Sequence, residues 1–181
     1  GRQTVSDEVR LRHPAAEVAG NYLLAFDADG TFWYLYRSST CVNSGRADFP
    51  IEDAAVSENG YVAFLTRTSD ATTSLSVYGQ DGKKLLRTVK REGYITSCAL
   101  RDDGKRLLFS TVAPGHQNWT TRFACLNTVT GDILFDSSVD NCFAYDCYLT
   151  SSGNMFACTQ DGILALSAGG KETQKVAWNT D

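Results

Sequence analysis

The residues with the most chemistry at short spacing lie in the segment Ala113-Pro114-Gly115-His116-Gln117-Asn118-Trp119-Thr120. It places a titratable imidazole (His116), an amide (Asn118) and an indole (Trp119) within four residues, with the guanidinium of Arg122 just beyond. Such a set binds ligands through hydrogen bonds and ring stacking, and loops are where binding residues concentrate. His116, Asn118, Trp119 and Arg122 are therefore the candidate ligand-binding residues. Covalent or acid–base catalysis has little to build on. The chain has two histidines, His13 and His116, and no nucleophile elbow, zinc-protease, P-loop or dinucleotide fingerprint. Most carboxylates fall in turns, where Asp has a backbone role. A pair facing each other across a channel, as glycosidases use, remains compatible with the sequence.

Metal chemistry is also thinly supported. Asp27-Ala28-Asp29-Gly30 resembles the opening of a calcium loop but lacks the third oxygen residue and the distal Glu. It reads as a hairpin turn. Six cysteines (Cys41, Cys98, Cys125, Cys142, Cys147, Cys158) show no second Cys or His pair at zinc spacing. They read as core thiols, and no metal or cofactor is expected. Lys and Arg total 17 against 21 Asp and Glu, a net charge of −4, spread along the chain. This excludes the clustered basic face of a nucleic-acid binder. No apolar run is long enough to span a membrane. The chain opens on Gly1, and Gly1-Arg2-Gln3-Thr4-Val5 precedes no signal-peptide core. It reads as a mature or cleaved fragment, so an upstream anchor stays open.

The elements that position these residues form a repeat. One hairpin pattern, an apolar run, a polar turn ending in Gly and a second apolar run, appears at Ala54–Leu65, Cys98–Phe109 and Cys147–Cys158, turning at Gly60, Gly104 and Gly153. A second pattern, an alternating strand, a Gly-containing turn and another strand, runs over Leu23–Tyr36, Leu75–Val89, Phe123–Phe135 and Ile163–Val176. β-branched and aromatic runs broken by such turns indicate an all-β fold. A period of about 40–50 residues with four strands per unit is the signature of β-propeller blades. The alternation of two hairpin types favours this over a β-sandwich. The expected architecture is a partial propeller of antiparallel four-stranded blades, about three and a half of them. An outer-strand pair over 21–37 leads, and blades follow over 51–89, 94–136 and 143–178. Residues 1–20 are expected to be an irregular segment or a cap, apart from a broken helix-like stripe at Val9–Ala19. Cys98 and Cys147 share one inner-strand position with Ala54. In Thr31-Phe32-Trp33-Tyr34-Leu35-Tyr36, alternation puts Phe32, Tyr34 and Tyr36 on one face and Trp33 and Leu35 on the other, both partly buried.

The stretch Phe49-Pro50-Ile51-Glu52-Asp53-Ala54-Ala55-Val56-Ser57-Glu58-Asn59-Gly60-Tyr61-Val62-Ala63-Phe64-Leu65-Thr66 resembles the core motif of an uncharacterised, largely Firmicutes bacterial family. Asn21-Tyr22-Leu23-Leu24-Ala25-Phe26-Asp27 and Gly93-Tyr94-Ile95-Thr96-Ser97-Cys98-Ala99-Leu100 are similar to it in order and spacing. That family looks like WD40-type or quinoprotein-like propellers, often behind a single N-terminal membrane anchor. The resemblance implies an extracytoplasmic, membrane-anchored setting, carries over no catalytic residue, and departs in the shortness and cysteine content of this chain. The expected function is a non-enzymatic binding or scaffold module of the cell envelope that takes a protein or glycan on its loops. The alternatives are a hydrolase with its site at the channel mouth and an intracellular, cytoplasmic scaffold. A run of blades that stops short leaves open faces. Further blades, an N-terminal cap or a homodimer that completes the ring would each cover them.

Overall fold

A computed structural model of the chain describes residues 9–68, 72–90, 93–115 and 118–178. The described strands form four antiparallel four-stranded sheets, each in simple sequential order. Sheet I holds β1 (Pro14–Ala19), β2 (Tyr22–Asp27), β3 (Phe32–Arg37) and β4 (Thr40–Arg46). Sheet II holds β5 (Ile51–Val56), β6 (Val62–Arg67), β7 (Thr73–Tyr78) and β8 (Lys84–Lys90). Sheet III holds β9 (Tyr94–Leu100), β10 (Arg106–Pro114), β11 (Trp119–Asn127) and β12 (Ile133–Asp140). Sheet IV holds β13 (Ala144–Leu149), β14 (Met155–Thr159), β15 (Gly162–Leu166) and β16 (Glu172–Ala177).

The all-β, four-stranded repeat is the architecture the glycine pattern predicts. The leading unit is larger than expected. Its Leu23–Tyr36 hairpin is not an outer pair but the middle of a complete sheet, flanked by β1 and β4. Residues 14–19, expected to be irregular or a cap, are the innermost strand. Both flanking strands lack the usual signals. β1 begins at Pro14 and is alanine-rich, which an edge strand tolerates. β4 is polar and largely exposed. Their turns are only Gly20-Asn21 and Ser38-Ser39, with Gly20 and Ser38 at positive φ.

Three apolar layers hold the sheets face to face. Leu24, Phe26, Trp33 and Leu35 of sheet I pack on Ala54, Val62, Phe64 and Tyr78 of sheet II. Trp33, Phe64 and Tyr78 meet ring on ring at 5.5–5.9 Å, which adds an aromatic term to the area buried. Leu65, Leu75 and Val77 pack on Cys98, Leu107 and Phe109, and Leu108 and Phe123 pack on Cys147, Ala157 and Leu164. Trp33 and Leu35 are buried toward sheet II, as alternation along the aromatic strand requires.

Candidate functional site

The innermost strands β1, β5, β9 and β13 line one cavity of about 540 Å³. A β-bulge shapes its wall in three of the four sheets. The register slips between Ile51 and Asp53, between Ser110 and Thr111 opposite Thr96, and between Ala144 and Asp146. The extra residues are Glu52, Thr96 and Tyr145. A bulge re-aims the side chain beside it. The residues that follow these three, Asp53, Ser97 and Asp146, all line the cavity, and Glu17 joins them from β1.

Most of these polar groups are engaged. Cys98 N–H of sheet III donates to Asp53 Oδ2 of sheet II at 3.1 Å. Ser97 Oγ–H donates to Asp146 Oδ1 at 2.8 Å, and Cys147 N–H donates to the same oxygen at 2.8 Å and to Ser97 Oγ at 3.3 Å. Tyr148 donates its hydroxyl to Asp146 Oδ2. Thr96 Oγ1 donates to Ala144 O at 2.8 Å, a further tie between sheets III and IV. The Glu17 carboxylate makes no hydrogen bond or ion pair with another described residue.

Electrostatics follow from the enclosure. Burial, then repulsion from Asp53 and Asp146, raises the Glu17 carboxyl above its usual range. Burial also raises Asp53, and Asp146 adds to that, against the lowering effect of the Cys98 and Ala54 N–H groups. Its bond to Asp146 is the largest of the effects that push the Tyr148 hydroxyl up. Among the described lining residues Glu17, Glu52, Asp53 and Asp146 are acidic and none is Lys, Arg or His. Glu52 pairs with Arg67, which lies outside the cavity. The cavity is thus a pocket of negative potential, lined also by the half-exposed Tyr145 and Tyr148.

Cys98 and Cys147 also line the pocket but are almost wholly buried and unbonded to sulfur. Burial pushes the Cys147 thiol up to about 12 and Cys98 well above its ordinary value. A thiol held protonated at neutral pH is a poor nucleophile and metal ligand. Cys125 and Cys142 are buried as well, whereas Cys41 is exposed and Cys158 half-buried.

The described loop residues singled out by type each have separate partners. His116 lies outside the described residues. Trp119 stacks edge-on against Phe143 at 5.6 Å and its carbonyl accepts Cys142 N–H at 3.0 Å. Asn118 closes the tight turn through its carbonyl, which accepts Gly115 N–H at 2.6 Å. Arg122 lies further along β11, its guanidinium forked onto Asp136. In the Asp27–Gly30 turn, Asp27 Oδ1 accepts the N–H of Arg12 at 2.8 Å and of His13 at 2.7 Å, pinning the entry to β1. Three of the pocket's polar residues were within reach of the sequence. Asp53, Ser97 and Asp146 each immediately precede the small inner-strand residue, Ala54, Cys98 or Cys147, that aligns the repeats.

Comparison with known proteins agrees with the fold. The chain superposes on a protein of unknown function from Bacteroides caccae with a TM-score of 0.58 at 13% identity, covering 87% of this chain and 58% of that one. It superposes on the WD40 domain of Neurospora crassa Pan2 with a TM-score of 0.61 at 14% identity, covering 90% and 48%. The WD40 domain of Toxoplasma gondii coronin gives 0.65 at 13%, covering 92% and 45%. The chain therefore spans about half the length of these structures, and at such identities they establish a propeller-like fold alone. No curated protein matches the sequence. Residues 1–180 match the family of unknown function DUF5711, and the chain belongs to that family.

Proposed function

We propose that this chain is a non-enzymatic binding module of the bacterial cell envelope, which takes a positively charged group of a protein partner into the pocket between its innermost strands. The observation that carries this reading is the unbalanced charge: Glu17, Asp53 and Asp146 line the pocket without an ion pair, Glu52 alone is paired, with Arg67, and no cationic side chain is among the described lining residues. A concave, partly desolvated site of one sign attracts the opposite sign. Two of those carboxylates, Asp53 and Asp146, are held by main-chain and hydroxyl donors, which fixes their positions for recognition. Titration with a lysine-rich peptide tests the reading. Binding that weakens with salt, weakens several-fold in Glu17→Gln and is absent for a glutamate-rich peptide supports it, whereas equal binding of both peptides overturns it.

A hydrolase is the second reading, favoured by the raised Glu17 and Asp53 carboxyls that share one pocket. It requires turnover of a chromogenic glycoside that Glu17→Gln abolishes.

A further inference from the structure

The II–III and III–IV junctions are tied at the axis by one repeated bond, which Glu17, in the corresponding place of sheet I, does not make to sheet II. A side-chain oxygen of one sheet accepts the inner-strand N–H of the next: Asp53 from Cys98, and Ser97 from Cys147. The donors have a common cause. In an antiparallel pair, hydrogen-bonded and non-bonded positions alternate. Arg101 N–H donates to Arg106 O and Thr150 N–H to Asn154 O, so counting back along each strand makes Cys98–Phe109 and Cys147–Ala157 non-bonded pairs. Their N–H groups point away from the neighbouring strand.

The same phase holds in sheet I. Ala28 N–H donates to His13 O, so Val18–Leu23 is a non-bonded pair. The Val18 N–H points away from β2, toward where a preceding sheet would stand. Val18 follows Glu17 as Cys98 follows Ser97. At the other end, Asp146 occupies in β13 the place of Asp53 and Ser97, and no described sheet follows it.

The two terminal faces match this polarity. The register of sheet IV sets Tyr148, Phe156 and Ala165 in one row and Cys158, Ile163 and Val176 in the next. Tyr148, Phe156 and Val176 are 51%, 42% and 50% exposed. On the outward face of sheet I, Val18 and Leu23 are 68% and 38% exposed. The outer half of that face is crossed by the segment whose Arg10 N–H donates to the Tyr34 hydroxyl at 3.2 Å. The axial half, with Ala16, Val18, Leu23 and Ala25, carries no charge.

We propose that a second copy of this chain covers sheet IV, seating its own sheet I there head to tail so that its Val18 N–H donates to the Asp146 carboxylate. The reciprocal junction closes two copies into one ring with a shared axial channel. One chain carries both halves of the junction, acceptor on sheet IV and donor on sheet I, so a second copy is a complementary partner on both sides. Head-to-tail interfaces close into rings when the rotation permits. Two chains also supply about the length of the propeller-like structures of which one chain spans 45–58%.

Light scattering on the 181-residue chain at about 50 μM reads twice the 19.8 kDa chain mass. Val18→Asp and Phe156→Glu each weaken association at least about tenfold without changing the far-ultraviolet circular dichroism, because both side chains are exposed. Leu23→Glu repeats the first test should Val18→Asp fail to fold. An equal mixture of Val18→Asp and Phe156→Glu recovers dimer, since one keeps an intact sheet IV and the other an intact sheet I. A wild-type monomer, a dimer indifferent to both substitutions, or loss with Phe156→Glu alone and no recovery on mixing overturns the proposal.

Discussion

Glu17 has the weakest support of the pocket carboxylates. Asp53 and Asp146 have donors, while Glu17, still exposed, meets partial desolvation and two like charges. Its raised folded-state carboxyl fixes the sign of its effect on stability. Between the ordinary glutamate value and the raised one, the folded state binds more protons than the unfolded state, so stability falls as pH rises through that window. Below the window both states are protonated and nothing is lost. Glu17→Gln removes the penalty at neutral pH only. The expected outcome is a rise in Tm of about 1 °C at pH 7, kept small because the side chain is largely solvated, and no rise near pH 4. Paired thermal melts at the two pH values check this, and a fall in Tm at pH 7 contradicts the repulsive assignment. The partners of Glu17 were only partly legible. The repeat alignment places Asp53, Ser97 and Asp146 at one register. The bulges that turn them into the cavity are not visible, because one extra residue in a strand leaves the run of apolar and polar types unbroken.

At the scale of the element, the glycines that reveal the repeat also bear on the packing between sheets. Gly60 and Gly104 end the turns between the first and second strands of sheets II and III, at φ +75° and +69°. A Cβ at Gly60 would lie 2.6 Å from the Tyr22 ring, and one at Gly104 2.3 Å from the Tyr61 ring. Each tyrosine belongs to the preceding sheet, so the turn of one sheet fits beneath an aromatic ring of its neighbour. Gly104→Ala thus incurs both a left-handed backbone penalty and displacement of Tyr61, for an expected loss of about 2–4 kcal/mol. Gly169 is the control, because its φ is ordinary and an added methyl would meet nothing within 4 Å. Gly169→Ala stays within about 0.5 kcal/mol of wild type. Urea denaturation of both variants measures the contrast, and equal midpoints refute the inter-sheet role. The same physics explains why sheet I was half legible. Its middle hairpin meets a neighbour and carries the apolar alternation of Leu24, Phe26, Trp33 and Leu35. Its flanking strands β1 and β4 bury little, so their composition is free to look like loop.

For the whole molecule, the described sheets form a linear array in which II and III have a neighbour on each side and I and IV on one. Stability in such arrays is a sum of unit terms and nearest-neighbour interfaces. Apolar layers form between I and II, II and III, and III and IV, so removing either end sheet breaks one interface and removing a middle sheet breaks two. Local opening should therefore begin at the ends. β16 is the extreme case, with all six of its residues exposed. Hydrogen exchange at about 1 μM, where association is suppressed by dilution, is expected to be fastest in β16 and β4, intermediate in β14 and β2, and slowest in β6, β7, β10 and β11. Raising the concentration to about 50 μM slows β13 and β14 of sheet IV together with β1 and β2 of sheet I if the head-to-tail pairing forms, because these strands then acquire a second neighbour. Uniform protection across all four sheets at low concentration would mean that the array opens as one cooperative unit, and that the terminal faces impose no local weakness for a partner to relieve.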